Sequence, residues 1–390
     1  MNFIIHCNSA HKQVLEKHLH IVSLTVPYPV NYGGVYDLFY KLPALQAQGV
    51  QIHLHCFDYG RGRQAELDKY CASVKYYTRN TGYKAFSTTL PYIVTSRKNE
   101  DLLNNLLEDN HPILMEGVHC TYPLTDKRFD RRKTFVRLHN VEYLYYKSLY
   151  ATTKNIADKL YYARESALLK KYERLIAAKN TAFFTVSPGD RDIYSHTFAA
   201  KAVEHLPLFL PGDWKVQPPQ GMGTYCLYHG DLGVEMNEKA ATWLITNMFS
   251  GLKIPLVIAG RNPSKKLLKL AATQQQTFVV ADPDVQVMQD MIAKAHINIL
   301  PSFSNTGIKI KLLNALFNGR HCIVNSPTIY GNGLEELCHV TDTAEAMKQR
   351  IEALYHQPFT DQEQQDRRAI LSQMFCNENN AKRLVERVWG

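Results

Sequence analysis

The chain has 390 residues, 45% apolar and 21% charged, a globular composition that excludes a disordered or collagen-like protein. No run of about 18 apolar residues occurs, which excludes a membrane-spanning helix, and the length suits two domains of near-equal size. The formal charge of +9 lies almost wholly in residues 1–210 (+8, against +1 in 211–390), pointing to an anionic partner or to a solvated basic face.

The N-terminus lacks the basic segment, apolar stretch and small-residue cleavage site of a secretory signal. The eight cysteines are scattered with no C-x-x-C pair, as reduced thiols of a cytoplasmic protein would be. Residues 1–18 have no evident place in a sheet. They read either as an appended extension or as sequence upstream of a start nearer Leu19. Short apolar, β-branched runs then recur at 20–26, 50–57, 112–117, 134–139 and 182–187, with helical stretches between them. A proline- and glycine-rich segment comes next at 206–223, and a second set of runs lies at 224–230, 255–260, 277–282, 297–302 and 321–325. Near-continuous apolar strands alternating with helices indicate parallel sheets covered on both faces. Two such sets predict an α/β protein of two doubly wound domains, 19–208 and 209–376, with a terminal helix over 377–390.

Ligands of doubly wound sheets sit beyond the carboxyl ends of the strands. After the first run, Asn31, Tyr32, Gly33 and Gly34 open a helix, so the glycines make either a bare turn or a phosphate-binding loop. Glu116 lies near the end of the run 112–117, just before Gly117. Arg137, His139, Asn140 and Glu142 cluster where 134–139 ends, and His139 is either a structural histidine or one that acts on a hydroxyl. In the second half, His229-Gly230-Asp231 and Arg261 follow two strands. Thr306 is the expected N-cap of a helix whose first turn carries Lys309 and Lys311. Cations oppose the helix dipole there by roughly 0.3–1 kcal/mol each, which makes sense if a bound anion overcomes the repulsion. The alternative is two lysines extended into water.

Other features carry less. His53, His55 and Cys56 lack a third ligand at metal spacing and read as strand. The basic cluster 126–133 is a solvated loop or a phosphate or membrane contact, and Ser187-Pro188 reads as a helix start. There is no H-E-x-x-H, P-loop or G-x-G-x-x-G.

The segments PYPVNYGG, RLHNVE, YHGDLGVEMNEKAATWL, IAGRNPS, TGIKIKLLNALFNG and IYGNGLEEL, in that order, resemble bacterial glycosyltransferases of family 4 (group 1 type) from surface-polysaccharide clusters. The resemblance implies the GT-B architecture, two Rossmann-like domains facing a central cleft. It implies transfer of a sugar from a nucleotide-sugar donor to a glycan or lipid-linked acceptor, retaining and independent of metal or cofactor. His139 takes the active-site histidine position, with Asn31, Tyr32, Glu116, Arg137, Asn140 and Glu142 around the acceptor or cleft. Donor contacts fall on Gly33, Gly34, Gly230, Arg261, Thr306, Gly307, Ile308, Lys309, Lys311 and Asn314. The family's two glutamates are replaced here by Thr306 and Asn314. That leaves two alternatives open: a non-catalytic nucleotide- or glycan-binding relative, and another nucleotide-sugar enzyme, either an inverting transferase or an epimerase. No nucleic-acid motif occurs, and the basic first half suggests peripheral contact with the inner face of an anionic membrane.

Overall fold

The computed structural model describes residues 16–214, 216, 221–304 and 307–390. The apolar runs pair as parallel strands because both faces of each are buried, so a branched side chain is favourable at every position. The first sheet comprises β1 (Lys17–Ser23), β2 (Val50–Asp58), β3 (Ser73–Thr78), β4 (Ile113–Glu116), β5 (Thr134–Leu138), β6 (Ala182–Thr185) and β7 (Val203–His205), in the order β3-β2-β1-β4-β5-β6-β7. The second comprises β8 (Cys226–His229), β9 (Leu256–Gly260), β10 (Thr277–Ala281), β11 (Ile297–Ile299), β12 (His321–Val324) and β13 (His339–Val340), in the order β10-β9-β8-β11-β12-β13. In each, strand order reverses beside the first strand, between β1 and β4 and between β8 and β11. Those reversals open the crevices in which such sheets bind ligands.

Helix α1 (Tyr36–Gln46) comes after β1, and α2 (Glu142–Thr152) and α3 (Ile156–Ala177) lie side by side between β5 and β6. α4 (Ile310–Asn318) comes after β11, while α5 (Asp361–Met374) and α6 (Asn377–Trp389) end the chain. No helix among the described residues is long and apolar enough to cross a membrane.

Two expectations need correction. The first strand begins at Lys17 rather than His20, so Lys17 and His18 pair with Val50 and Gln51 in the sheet. The strand opens on alternating histidines instead of an apolar run, which hid its start; residues 1–15 lie outside the described residues. Second, β3, β7 and β13 were not anticipated. All three are edge strands, where one side needs no apolar partner and the sequence loses its continuous character.

The chain crosses between domains twice, near 206–211 and again at the start of α6. α6 buries Ala381, Leu384, Val385 and Val388 in the core shared by α1 and the first sheet. The two crossings are clasped together: Asn377 Nδ2 donates to the Leu210 carbonyl at 2.7 Å and its Oδ1 accepts from the Leu210 amide at 3.0 Å. Asn377→Ala strands both buried groups of Leu210 and is expected to cost about 1–3 kcal/mol. A lowered urea midpoint would register the loss, and an unchanged midpoint would show that the clasp carries no stability.

Candidate active site

The N-terminal wall of the cleft rests on a chain of buried charges. Asp37 lies in the first turn of α1 and Lys41 one turn on, so both face the end of the sheet. Arg137 on β5 grips Asp37 with two nitrogens at 2.9 and 2.8 Å, and it also donates to the carbonyls of Leu206 and Pro207. Lys41 Nζ lies 3.0 Å from Asp37 Oδ2 and 2.5 Å from Glu116 Oε1. Glu116, at the end of β4, in turn accepts from His139 Nε2 at 2.9 Å. Burial alone would raise both carboxyls, but Arg137 and Lys41 hold Asp37 well below its ordinary value, and Lys41 and His139 hold Glu116 below its own. The carboxylate therefore fixes a proton on Nε2 of His139, whose ring lines the cleft. Asp37, Glu116 and His139 offer ligand atoms within 4.8 Å of one another, yet Lys41 already occupies the position between the two carboxylates that a cation would take.

The C-terminal wall has the opposite character. α4 begins at Ile310 with Lys309 at the N-cap, no side chain capping its amides and no acidic residue in its first turn. Thr306, the expected cap, lies outside the described residues. Lys311 is half-buried in the cavity wall. It donates to the Tyr228 hydroxyl at 3.1 Å and to Asn237 Oδ1 at 3.0 Å, and no carboxylate among the described residues is within ion-pair distance of it. Burial, with help from Lys309, pulls its pKa down to about 7; burial likewise lowers Lys309 to about 8. Arg261 is held at 2.9 Å by Asp231. His229 also lines the wall, with its buried Nε2 unpartnered among the described residues.

Between the walls is a cavity of about 780 Å³. Of the residues singled out from sequence, Asn31, Tyr32, Gly33, Gly34, His139, Asn140, Gly230, Arg261, Ile308, Lys309, Lys311 and Asn314 line it. Gly307 lies against the opposite wall: at φ +63°, a Cβ there would meet Asn140 Oδ1 at 2.1 Å. Gly33 likewise packs against Ile310, so close approach of the two domains is one reason for glycine at both positions.

Three residues sit elsewhere. Glu116 lies behind His139. Arg137 is wholly buried and braces the fold instead of facing the cleft. Glu142 is buried beside Glu173, and burial first, then that neighbouring charge, pushes its carboxyl up to about 8.

Sequence reasoning missed Asp37, Lys41, Arg61, Tyr228 and Asn237. Arg61 stacks over Tyr32 and bonds Asn31 at 3.1 Å from the loop after β2. No local motif marks these residues, although the acid-to-lysine i,i+4 spacing of Asp37 and Lys41 was visible.

An uncapped helix start, half-buried lysines and a roomy cavity make a receptor for a phosphorylated ligand. The free protein loses the Lys311 proton as pH rises through about 7, and a bound anion raises that value. Affinity for inorganic pyrophosphate should therefore be full below pH 7 and fall by up to about tenfold per pH unit above it. Calorimetry across pH 6–9 checks this, and Lys311→Met should bind weakly and lose most of the slope.

Residues 223–357 match the family model for Glycosyl transferases group 1. Over 330 residues the chain is 24% identical to an "Uncharacterized 44.6 kDa protein in cps region" of Klebsiella pneumoniae, covering 80% of this chain and 84% of that one. In fold it is similar to a glycosyltransferase from Rickettsia africae ESF-5, with a TM-score of 0.65, 14% identity and coverage of 95% and 98% of the two chains. It is also similar to WaaG, a glycosyltransferase involved in lipopolysaccharide biosynthesis, with a TM-score of 0.62, 12% identity and coverage of 95% and 100%. The two Rossmann-like domains thus have the GT-B fold of these solved structures, and the second of them matches the group 1 glycosyltransferase family.

Proposed function

We propose that the chain moves a sugar from a nucleotide-sugar donor to a glycan or lipid-linked acceptor in polysaccharide or cell-envelope biosynthesis, with retention of configuration. The observation that carries this reading is the half-buried Lys311 at the uncapped start of α4, a cationic group facing a cavity large enough for a sugar nucleotide. The donor diphosphate lies against Lys311, Lys309 and the first amides of α4. These groups stabilise the charge that develops on the leaving diphosphate, the role a divalent ion would otherwise fill. His139, its Nε2 proton held by Glu116, presents Nδ1 to a hydroxyl of the transferring sugar or the acceptor. The polysaccharide setting draws support from the relative in a cps region and from the likeness to WaaG.

The reading is tested by melting the protein with UDP, GDP, dTDP, ADP or CMP, no metal being added. One nucleotide should raise the melting temperature selectively, and Lys311→Ala should abolish the shift. No shift from any of the five would count against the donor site. With the selected donor and an acceptor, NMR of the product anomer should show retention, and inversion would refute that part. Asn314 in place of an acidic residue favours one second reading, a relative that binds donor without turnover. Its Oδ1 already accepts from Asn318 at 2.8 Å, and it would be recognised by a melting shift with no product.

The lipid-linked form of the acceptor is favoured by the surface of α2 and α3. Lys147, Lys154, Lys159, Lys170, Lys171 and Arg174 are exposed there, together with Tyr150, Ile156, Leu160 and Tyr161. Basic side chains contribute about 1 kcal/mol each near an anionic bilayer, and the apolar ones insert at the headgroup boundary. The chain should sediment with phosphatidylglycerol vesicles but not with phosphatidylcholine vesicles, and Ile156→Asp/Leu160→Asp should weaken that binding at least about tenfold. Sedimentation indifferent to anionic lipid would refute the membrane contact.

A further inference from the structure

The C-terminal sheet carries a second cluster of ligand-type side chains at the end away from the cleft. β12 opens with His321 and β13 with His339, and the register between the strands puts both on one face. Glu363, in the first turn of α5, completes the group: one ligand atom from each residue lies within 4.8 Å of the others.

The hydrogen bonds around the cluster orient it. His321 is buried, and its Nε2–H donates to the Gln357 carbonyl at 3.0 Å, so the lone pair is on Nδ1. That Nδ1 has no hydrogen-bond partner among the described residues and faces Glu363 Oε1 at 3.3 Å. A bare lone pair and a carboxylate oxygen repel at that distance unless a positive species lies between them. The other oxygen, Glu363 Oε2, accepts from the Thr360 amide and hydroxyl at 2.9 Å each, which fixes the plane of the carboxylate. A carbonyl behind the histidine and a cap behind the carboxylate are the outer contacts that orient metal ligands.

The spacing agrees. Nitrogen and oxygen ligands about 2.0–2.2 Å from a tetrahedral ion are about 3.3–3.5 Å from one another. We propose that His321 Nδ1, His339 and a Glu363 oxygen hold a zinc ion, with water as fourth ligand, and that this ion pins α5 to the edge of the C-terminal sheet. Arg350 and Arg367 lie near enough to oppose a cation held by charge alone, which selects an ion bound through nitrogen donors over magnesium or calcium. The site lies at the amino ends of the strands, opposite the cleft, and takes no part in sugar transfer.

Protein freed of metal by a chelator is titrated with Zn2+ and with Co2+. One ion per chain, a raised melting temperature and the strong visible bands of tetrahedral Co2+ are expected. His339→Gln should weaken affinity about tenfold or more. Glu363→Gln should do the same while keeping the helix cap, because glutamine can close the same capping box. Undiminished uptake in both variants would overturn the proposal and place the ion elsewhere, for example in the cluster of His18, His20, His53, His55 and His111. No uptake by the wild-type protein would overturn it too, leaving a proton between His321 and Glu363. If His339→Gln fails to fold, the Co2+ spectrum of Glu363→Gln decides alone.

Discussion

The N-terminal half of the molecule depends on the grip of Arg137 on Asp37. A guanidinium and a carboxylate, both out of water, each cost several kcal/mol to bury, and neither is tolerable without the other. Their pairing fixes α1 against β5, and through Leu206, Pro207 and the Phe209 amide it also fixes the strand that leaves this domain. Lys41 extends the pairing to Glu116, and Glu116 extends it to His139. The orientation of the His139 ring at the cleft is thus set by packing deep in the domain.

The facing wall is built on an unmet electrostatic demand. No side chain caps the first amides of helix α4, and two lysines are added where the helix field already disfavours them. One wall is internally neutralised and preorganised, whereas on the other Lys311 has no carboxylate among the described residues within ion-pair distance. Such a division suits group transfer, in which the negative charge appears on the leaving group and the sugar must stay oriented.

Much of this was legible in the sequence, and the failures have physical causes. Central strands announce themselves because burial on both faces demands unbroken apolar runs, while β3, β7 and β13 are edges with no such demand. Arg137 in β5 and His139 just past its end stand two residues apart, so pattern alone gave them equal claim to the cleft. Depth separates them: Arg137 lies inside the sheet layer and His139 at its rim. Glu142 comes after a strand end as a cleft residue would, but the start of α2 turns it inward beside Glu173. Arg61 and Asn237 reach the cavity from separate loops and helices, and no spacing in a single segment encodes that convergence. The lysines of α4 were readable because their placement contradicts a helix rule.

The clasp between Asn377 and Leu210 ties the outgoing and returning strands of chain into one joint. Two connections set far apart would define an axle and confine the domains to swinging about it. Two connections bound side by side act as a pivot at one edge, and displacement grows with distance from that edge. A change in a few backbone torsions at the joint would part Gly307 from Asn140 and Gly33 from Ile310 with both sheets left rigid. Entry of a bulky ligand then requires no unfolding, only leverage.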